Sequence, residues 1–247
     1  MDKSINKYIS ETGFCSRREA DKYIEQGRVT INDNIASKGN RVEEGDVVEV
    51  DGEPLKKKKA TIYIALNKPK GITCTTDLKD KTNIIDYINF NSRIFPIGRL
   101  DKLSEGLIFL TNDGDIVNKI LRAGNQHEKE YTVSVDKPIN IEFIKAMRNG
   151  VRIMGVTTQK CFVNQEASDR FRIILTQGLN RQIRRMCEAL GYNVRSLKRT
   201  RIMNISLKDL APGKWRYFTK EEISTITEMV STSSKTDKGS SNEGMDE

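Results

Sequence analysis

The chain has 247 residues, of which 36% are hydrophobic and 31% charged, which is enough for one medium-sized domain and one small one. Its formal net charge of +8 predicts an anionic partner, and no apolar run approaches the roughly 18 residues that a membrane span requires. The four cysteines are widely spaced, which argues against a disulfide framework and favours the reducing cytoplasm. The single histidine argues against a metal site built on several imidazoles. The N-terminus has no apolar segment, which argues against a secretory signal.

Residues 1–50 predict a small unit of helices and short strands. Apolar residues recur at helical spacing in the first ten positions, and Ser16 with Glu19 forms a capping-box pattern at the start of a second helix. Two short strands are expected around 29–31 and 46–50. The string SRREADKYIEQGRVTINDNIASKGNRVEEGDVVEV resembles S4 RNA-binding domains.

Four basic side chains gain a candidate role from this resemblance. Arg17, Arg18 and Lys22 fall on the exposed side of the second predicted helix, and Arg28 follows it directly. In an S4 domain such side chains contact RNA phosphates, whereas in a generic helix they are solvated charges. The sequence alone leaves both interpretations open.

Residues 51–60, DGEPLKKKKA, are predicted to form a linker, because the lysine run has no side-chain periodicity and follows shortly after a proline. The four lysines are either a soluble connector or a contact to a polyanion.

Residues 61–226 predict the main domain. KEYTVSVD and FRIILTQG read as strands, while INIEFIKAMRNG and NRQIRRMCEALGY have helical spacing that ends at a glycine. Many strands with few helices, and no βαβ regularity, indicate a mixed, mainly antiparallel β-sheet with flanking helices. The predicted fold class is therefore α+β, with a small N-terminal S4-like domain and a larger sheet domain. Residues 227–247 are polar and are predicted to be a disordered tail.

The most informative stretch is 98–114, GRLDKLSEGLIFLTNDG. It predicts a loop that displays the carboxylate of Asp101, followed by a buried strand. Taken alone, Asp101 beside Arg99 would be a turn residue, a helix cap or a solvated ion pair. The whole string resembles the central motif of RNA pseudouridine synthases of the RsuA/RluB/RluF type, GRLDxxSEGLLLLTNDG, and this resemblance extends along the chain to about residue 220.

The resemblance implies that Asp101 is the catalytic aspartate. The family's reaction breaks the N1–C1′ bond of uridine, rotates the uracil and joins C5 to C1′, an isomerisation that implies no cofactor. The carboxylate would attack the sugar, stabilise oxocarbenium charge or remove a sugar proton to give a glycal, and the sequence does not choose among these. The target base must leave its stack. Arg99 matches the arginine that fills the vacated space or holds the flipped nucleotide.

Further positions match the family's site. Tyr131 would stack on the uracil and take part in proton transfer at C5, Arg184 would pair with the catalytic aspartate and keep it ionised, and Leu197 would pack beneath the base. Without the resemblance, Tyr131 and Leu197 would be ordinary core side chains. Arg181 and Arg185, on other parts of the Arg184 helix, are expected to contact RNA or to be structural.

Basic charge is concentrated late in the chain. Residues 177–216 carry ten basic and two acidic side chains, whereas residues 1–59 carry twelve of each. This asymmetry favours a polyanion-binding face over a merely solvated surface. Earlier, in LNKPKG, Lys68 is expected to brace a loop or to contact a phosphate.

The string QGLNRQIRRM, with Leu179 where many relatives carry arginine, resembles the RluF branch of the family, which modifies large-subunit (23S) rRNA. The expected partner is therefore 23S rRNA, with tRNA left open as a second substrate, and the protein is expected to be a monomer.

Two alternative functions remain. One is a non-catalytic S4-type RNA-binding protein, which would have no need of a carboxylate in a basic cleft. The other is a nucleoside hydrolase or base glycosylase, which would release free base.

Overall fold

The computed structural model describes residues 2–55, 60–121 and 126–231, and the chain divides into two compact units. The smaller unit consists of Met1–Ile62 with two short later segments, Phe90–Ile94 and Asn112–Gly114. The larger unit contains the remaining described residues. The lysine run at 56–59 lies outside the described residues.

The smaller unit packs two helices on short antiparallel strands. Its sheet has the order β3-β2-β5-β6, and β1 pairs separately with β4. The predicted capping box is present, because the Glu19 N–H donates to Ser16 Oγ and the Ser16 N–H donates to Glu19 Oε2. The elements are α1 (Ile5–Thr12), α2 (Arg17–Glu25), β1 (Lys3–Ser4), β2 (Val29–Ile31), β3 (Asn34–Ile35), β4 (Arg41–Val42), β5 (Val48–Val50) and β6 (Glu53–Pro54).

Strand β6 lies where a linker was predicted from the sequence. Glu53 and Pro54 were expected in the linker, but they pair with Val50 and Glu49 of β5. A proline is compatible with this position because β6 is the edge strand of its sheet. The folded part of the smaller unit therefore continues beyond residue 50.

The larger unit is built on one mixed sheet with helices around it. Its helices are α3 (Ile84–Ile88), α4 (Gly114–Leu121), α5 (Ile141–Asn149), α6 (Gln182–Ala189) and α7 (Lys220–Ser231). Its strands are β7 (Tyr63–Lys68), β8 (Phe95–Ile97), β9 (Glu105–Thr111), β10 (Lys129–Val135), β11 (Arg152–Ile153), β12 (Val156–Thr157), β13 (Phe162–Ala167), β14 (Arg170–Leu175), β15 (Val194–Ile202), β16 (Ile205–Ser206) and β17 (Trp215–Tyr217).

The main sheet has the order β13-β14-β10-β15-β9-β7-β17, with β16 on β15 and β8 on β9. The pairings of the described strands in it are antiparallel except for that of β9 with β15. This confirms the predicted mixed, mainly antiparallel sheet. Because β9 and β15 run in the same direction, the loop before β9 lies beside the middle of β15.

The parallel contact depends on Gly106. In it Gly106 lies opposite Arg199 with a φ of +111°, and a Cβ atom at this position would be 2.3 Å from the Arg199 carbonyl oxygen. A side chain would therefore collide with backbone, which cannot rotate away. The close approach of the two strands at the centre of the sheet requires glycine.

The first residues of the predicted disordered tail belong to helix α7, so this part of the prediction is wrong. Residues 227–231 are helical, and the helix buries Ile226 and Val230 in the core cluster that contains Phe218. The four-residue spacing of these two side chains places them on one helix face, which gives the segment an apolar stripe to bury. The rest of the predicted tail, 232–247, lies outside the described residues.

Candidate active site

The order of the strands brings the predicted site residues together. Asp101 lies in the loop before β9, Tyr131 lies on β10, and Leu197 lies on β15, which is between those two strands. Helix α6 adds Arg184. These four side chains, with Arg99, line one small cavity of about 90 Å³.

The carboxylate of Asp101 is held on one side only. Its Oδ2 lies 3.7 Å from Arg184 Nε and 3.6 Å from Arg181 Nη1. Neither carboxylate oxygen accepts a hydrogen bond from the described residues, and the side chain is 34% exposed. Two adjacent guanidinium groups therefore place positive charge beside the carboxylate. The arrangement presents a partly exposed carboxylate that is paired with two arginines and accessible to a ligand.

Arg184 is fixed by the loop that carries Asp101. Its Nη2 donates to Ser104 Oγ at 3.1 Å, and its Nη1 donates to the Val194 carbonyl at 3.3 Å. Burial, and then the neighbouring Arg181, lower the pKa of Arg184, while Asp101 acts in the opposite direction. A guanidinium remains charged through such a shift. The predicted pairing of Arg184 with Asp101 is therefore present in the structure.

Arg181 is closer to the site than the sequence analysis expected. It precedes α6 with a left-handed backbone (φ 51°), a conformation that costs a non-glycine residue about 1 kcal/mol or more. That conformation accompanies the approach of its guanidinium to Asp101. No local pattern in NRQIRRM distinguishes an arginine before the helix from one on its exposed face, so this contact could not be predicted from the sequence.

The remaining walls of the cavity differ in character. Leu197, 5% exposed, joins Leu175 and Ile183 in an apolar wall. Tyr131 is half-buried and follows an irregularity in the pairing of β10 with β15, which re-aims side chains at that point. Arg99 is exposed and makes no hydrogen bond or ion pair with the described residues, so its guanidinium is available to a ligand.

Two of the arginines that are predicted to contact RNA form hydrogen bonds within the protein. Arg185 donates to the backbone and side-chain oxygens of Asn180, at 3.1 and 3.2 Å. Arg28 donates to both carboxylate oxygens of Asp51, at 2.7 and 2.6 Å, and stacks on the Tyr23 ring at 4.3 Å. The ion pair of Arg28 with Asp51 is exposed, and a phosphate contact by Arg28 stays a prediction. Arg17, Arg18 and Lys22 are exposed, as predicted.

Lys68 braces a loop beside the site. Its ammonium group is fully buried and donates to the carbonyls of Pro69 and Ile72 at 3.0 and 2.8 Å. In the same loop the Gly71 N–H donates to the carbonyl of Lys102, the residue after Asp101. Of the two expected roles, the structure supports the loop brace.

A second, wider cavity of about 620 Å³ adjoins the first and shares Arg99, Asp101 and Tyr131 with it. It adds two buried cations that the sequence analysis missed, Lys129 and Arg199. Lys129 precedes Tyr131 by two residues on the same strand, so strand alternation could have placed it on the same face. Burial, and then Arg199, lower the pKa of Lys129 to about 8.

This lowered pKa predicts a pH-dependent penalty on stability. The unfolded chain binds the Lys129 proton with the ordinary pKa of about 10.4, so the penalty is complete below about pH 8 and disappears as the pH rises towards 10.4. Lys129→Met should therefore stabilise the larger unit by roughly 3 kcal/mol at pH 7, and by progressively less above pH 8.

Urea unfolding followed by the fluorescence of the single tryptophan, Trp215, measures this difference, because β17 belongs to the larger unit. The charged and titratable neighbours to consider are Arg199 on β15 and His127 ahead of β10. A difference between Lys129→Met and wild type that does not change between pH 7 and 10 would contradict the prediction.

The comparisons with known proteins agree with this site. A family model for RNA pseudouridylate synthase matches residues 62–189, and one for the S4 domain matches residues 4–48. Over 232 residues the chain is 57% identical to the dual-specificity RNA pseudouridine synthase RluF of Escherichia coli (strain K12), which covers 93% of this chain and 80% of that protein.

Two further relatives extend the comparison. The ribosomal large subunit pseudouridine synthase B of Bacillus subtilis (strain 168) is 31% identical over 231 residues, covering 90% of this chain and 94% of the relative. A crystal structure of a pseudouridylate synthase superimposes with a TM-score of 0.66 at 28% identity, covering 91% of this chain and 99% of the other.

Fold and site thus define an RNA-modifying isomerase of the pseudouridine synthase class. The chain belongs to the RNA pseudouridine synthase family and carries an S4 domain at its N-terminal end. The resemblance to the RluF branch is confirmed by the 57% identity. Family membership favours the isomerase over the binding protein and the glycosylase that the sequence left open.

None of the helices in the described part of the chain combines the length and the apolar character of a membrane span. Within the same ranges, His, Cys, Asp and Glu side chains form no group of three or more that could hold a metal ion.

Proposed function

We propose that this protein converts specific uridines of 23S rRNA to pseudouridine, acting as a cytoplasmic monomer. The observation that carries the proposal is Asp101, anchored through one oxygen by two arginines in a cavity that also contains Tyr131 and Leu197. The name of the Bacillus subtilis relative refers to the ribosomal large subunit, and that of the Escherichia coli relative to dual specificity. A second substrate, tRNA, therefore belongs in the test.

The cavity assigns separate roles to its walls. A flipped uracil would lie between Tyr131 and the apolar wall of Leu197, which fits a flat and mostly apolar ring. The exposed side of the Asp101 carboxylate would then face C1′ of the sugar, while Arg184 pairs with Oδ2. Arg99, exposed beside the cavity, would hold the displaced nucleotide or fill its place in the stack.

The two units would divide the work of recognition. In the proposed organisation, the smaller unit, with its strands up to Pro54, contains the S4 domain that binds RNA phosphates, and the larger unit, up to the end of α7, contains the catalytic domain. The exposed cations of α2 support the first part. The contact of Arg181 with Asp101 supports a role for that residue at the catalytic carboxylate rather than on the RNA-binding surface.

Mapping tests the function directly. Pseudouridine positions are compared in 23S rRNA and tRNA from cells with and without the protein, and purified protein is assayed for tritium release from RNA that contains 5-tritiated uridine. The expected result is loss of pseudouridine at specific 23S positions and tritium release without an added cofactor. Unchanged maps would contradict the proposal, and release of free uracil would indicate a glycosylase.

The S4 assignment predicts a change in salt dependence. Replacing Arg17, Arg18 and Lys22 together by Gln should weaken binding of a 23S rRNA fragment and reduce the slope of log Kd against log salt by roughly 2, because about three phosphate contacts are lost. The control is Lys145→Gln, which removes an exposed charge from α5 in the larger unit. An unchanged slope in the triple variant would exclude this surface as an RNA contact.

A further inference from the structure

Lys129 and Arg199 form a pair of buried cations in the wall of the wider cavity. Lys129 is 7% exposed and Arg199 is 4% exposed. Lys129 Nζ donates to the His127 carbonyl at 3.2 Å, which uses one of its three protons. Arg199 Nε donates to the Leu107 carbonyl at 2.6 Å, while its Nη2 is buried without a hydrogen-bond partner.

Neither cation forms an ion pair with a carboxylate of the described residues. The charged group that acts on Lys129 is Arg199, a like charge, and the other cation near Arg199 is Lys68 on β7. Burying like charges together is costly unless an opposite charge compensates them. The arrangement therefore has donors and positive charge in excess of what the folded chain uses.

The location of the Lys129–Arg199 pair indicates which anionic group could bind to it. Asp101 and Tyr131 border both cavities, whereas the apolar wall of Leu197 lines only the smaller one and the Lys129–Arg199 pair lines only the wider one. If the uracil occupies the apolar side and C1′ lies at Asp101, the sugar–phosphate backbone continues into the wider cavity. A volume of about 620 Å³ leaves room for it.

We propose that Lys129 and Arg199 form an anion subsite that binds the phosphodiester next to the target uridine and so holds the flipped nucleotide at Asp101. The inference rests on the proposed function, because it takes Asp101 as the group that faces the sugar. A bound phosphate would accept hydrogen bonds from the unused donors of Lys129, and the buried guanidinium of Arg199 would add positive charge behind it. It would also restore the pKa that burial and Arg199 lower to about 8.

The test uses a stem-loop of about 20 nucleotides around a uridine that the wild-type protein modifies, in rRNA or in tRNA. Three versions are made: one with natural phosphates, and two with an uncharged methylphosphonate on the 5′ or the 3′ side of that uridine. Binding is measured at fixed salt with proteins that carry Asp101→Asn, so that turnover does not intervene. The single removed charge then reports on one phosphate at a time.

One of the two methylphosphonates should weaken binding to the Asp101→Asn protein by about tenfold, the size of effect expected from losing one charge-assisted contact. Adding Lys129→Met should weaken binding of the natural RNA by a similar factor and abolish the discrimination against that methylphosphonate. Adding Lys145→Met instead, at an exposed position on α5, should leave the discrimination intact. The thermal melting of the Lys129→Met protein establishes that it is folded.

Two results would overturn the inference. One is that Lys129→Met still discriminates between the RNAs as strongly as its parent. The other is that Lys129→Met, in the presence of Asp101, lowers kcat and shifts the pH profile with unchanged affinity, which would make Lys129 a proton-transfer group. Failure of the 23S assignment is a separate outcome, since a stem-loop from tRNA tests the subsite equally well.

Discussion

Asp101→Asn should lower pseudouridine formation by more than about 10³-fold while leaving RNA affinity within about threefold of wild type. Removing one hydrogen-bond donor to a reacting group costs about 10²–10³ in rate, and the loss of the group that acts on the sugar should cost more. The amide keeps the shape of the carboxylate but cannot attack the sugar, neutralise oxocarbenium charge or accept a proton. Arg181 and Arg184 remain to attract RNA.

Tritium release and equilibrium binding to the same 23S fragment separate these two effects. The matched control is Asp209→Asn, a surface carboxylate after β16 that should retain full activity. Because the substitution leaves the guanidinium groups in place, reduced binding to RNA would show that the side chain positions the loop rather than acts on the sugar. Turnover at the wild-type rate would exclude Asp101 as the catalytic residue.

The extent to which the sequence predicts this site depends on how local each contact is. Asp101, Tyr131 and Leu197 lie in strings that resemble family motifs, so each could be assigned before their proximity was known. Arg181 could not, because its contact with Asp101 depends on a left-handed backbone before α6. The buried position of Arg199, without a carboxylate partner in the described part of the chain, could not be predicted either, because it depends on which strands are neighbours.

The fold follows the same division. Alternation and glycine stops predicted the strands and helices around the site, and α2 begins at the capping box seen in the sequence. Helix α4 was missed, because Asn-Asp-Gly reads as a turn and hides the helix that begins at Gly114. The parallel pairing of β9 with β15 joins distant parts of the chain, and no local pattern predicts it. The glycine at position 106 is a residue whose identity reflects this pairing.

Gly106→Ala should therefore destabilise the larger unit by about 4 kcal/mol, combining the cost of a positive φ with that of overpacking against rigid backbone. The new Cβ would lie 2.3 Å from the carbonyl oxygen and 2.6 Å from the nitrogen of Arg199. Backbone on both sides prevents a rotamer change from relieving the overlap. Urea unfolding followed by Trp215 fluorescence measures the loss. A wild-type midpoint would contradict the close strand contact.

The control is Gly178→Ala, where an added Cβ meets nothing within 4 Å and the backbone is not left-handed, so stability should change by less than about 1 kcal/mol.

Any Gly106→Ala protein that folds should also lose activity, because the substitution would change the geometry of the active site. The contact of β9 with β15 places Asp101 beside Leu197, and the contact of β15 with β10 places both beside Tyr131. Separating β9 from β15 by even 1 Å would move the carboxylate away from the base wall, which costs about 10²-fold in rate.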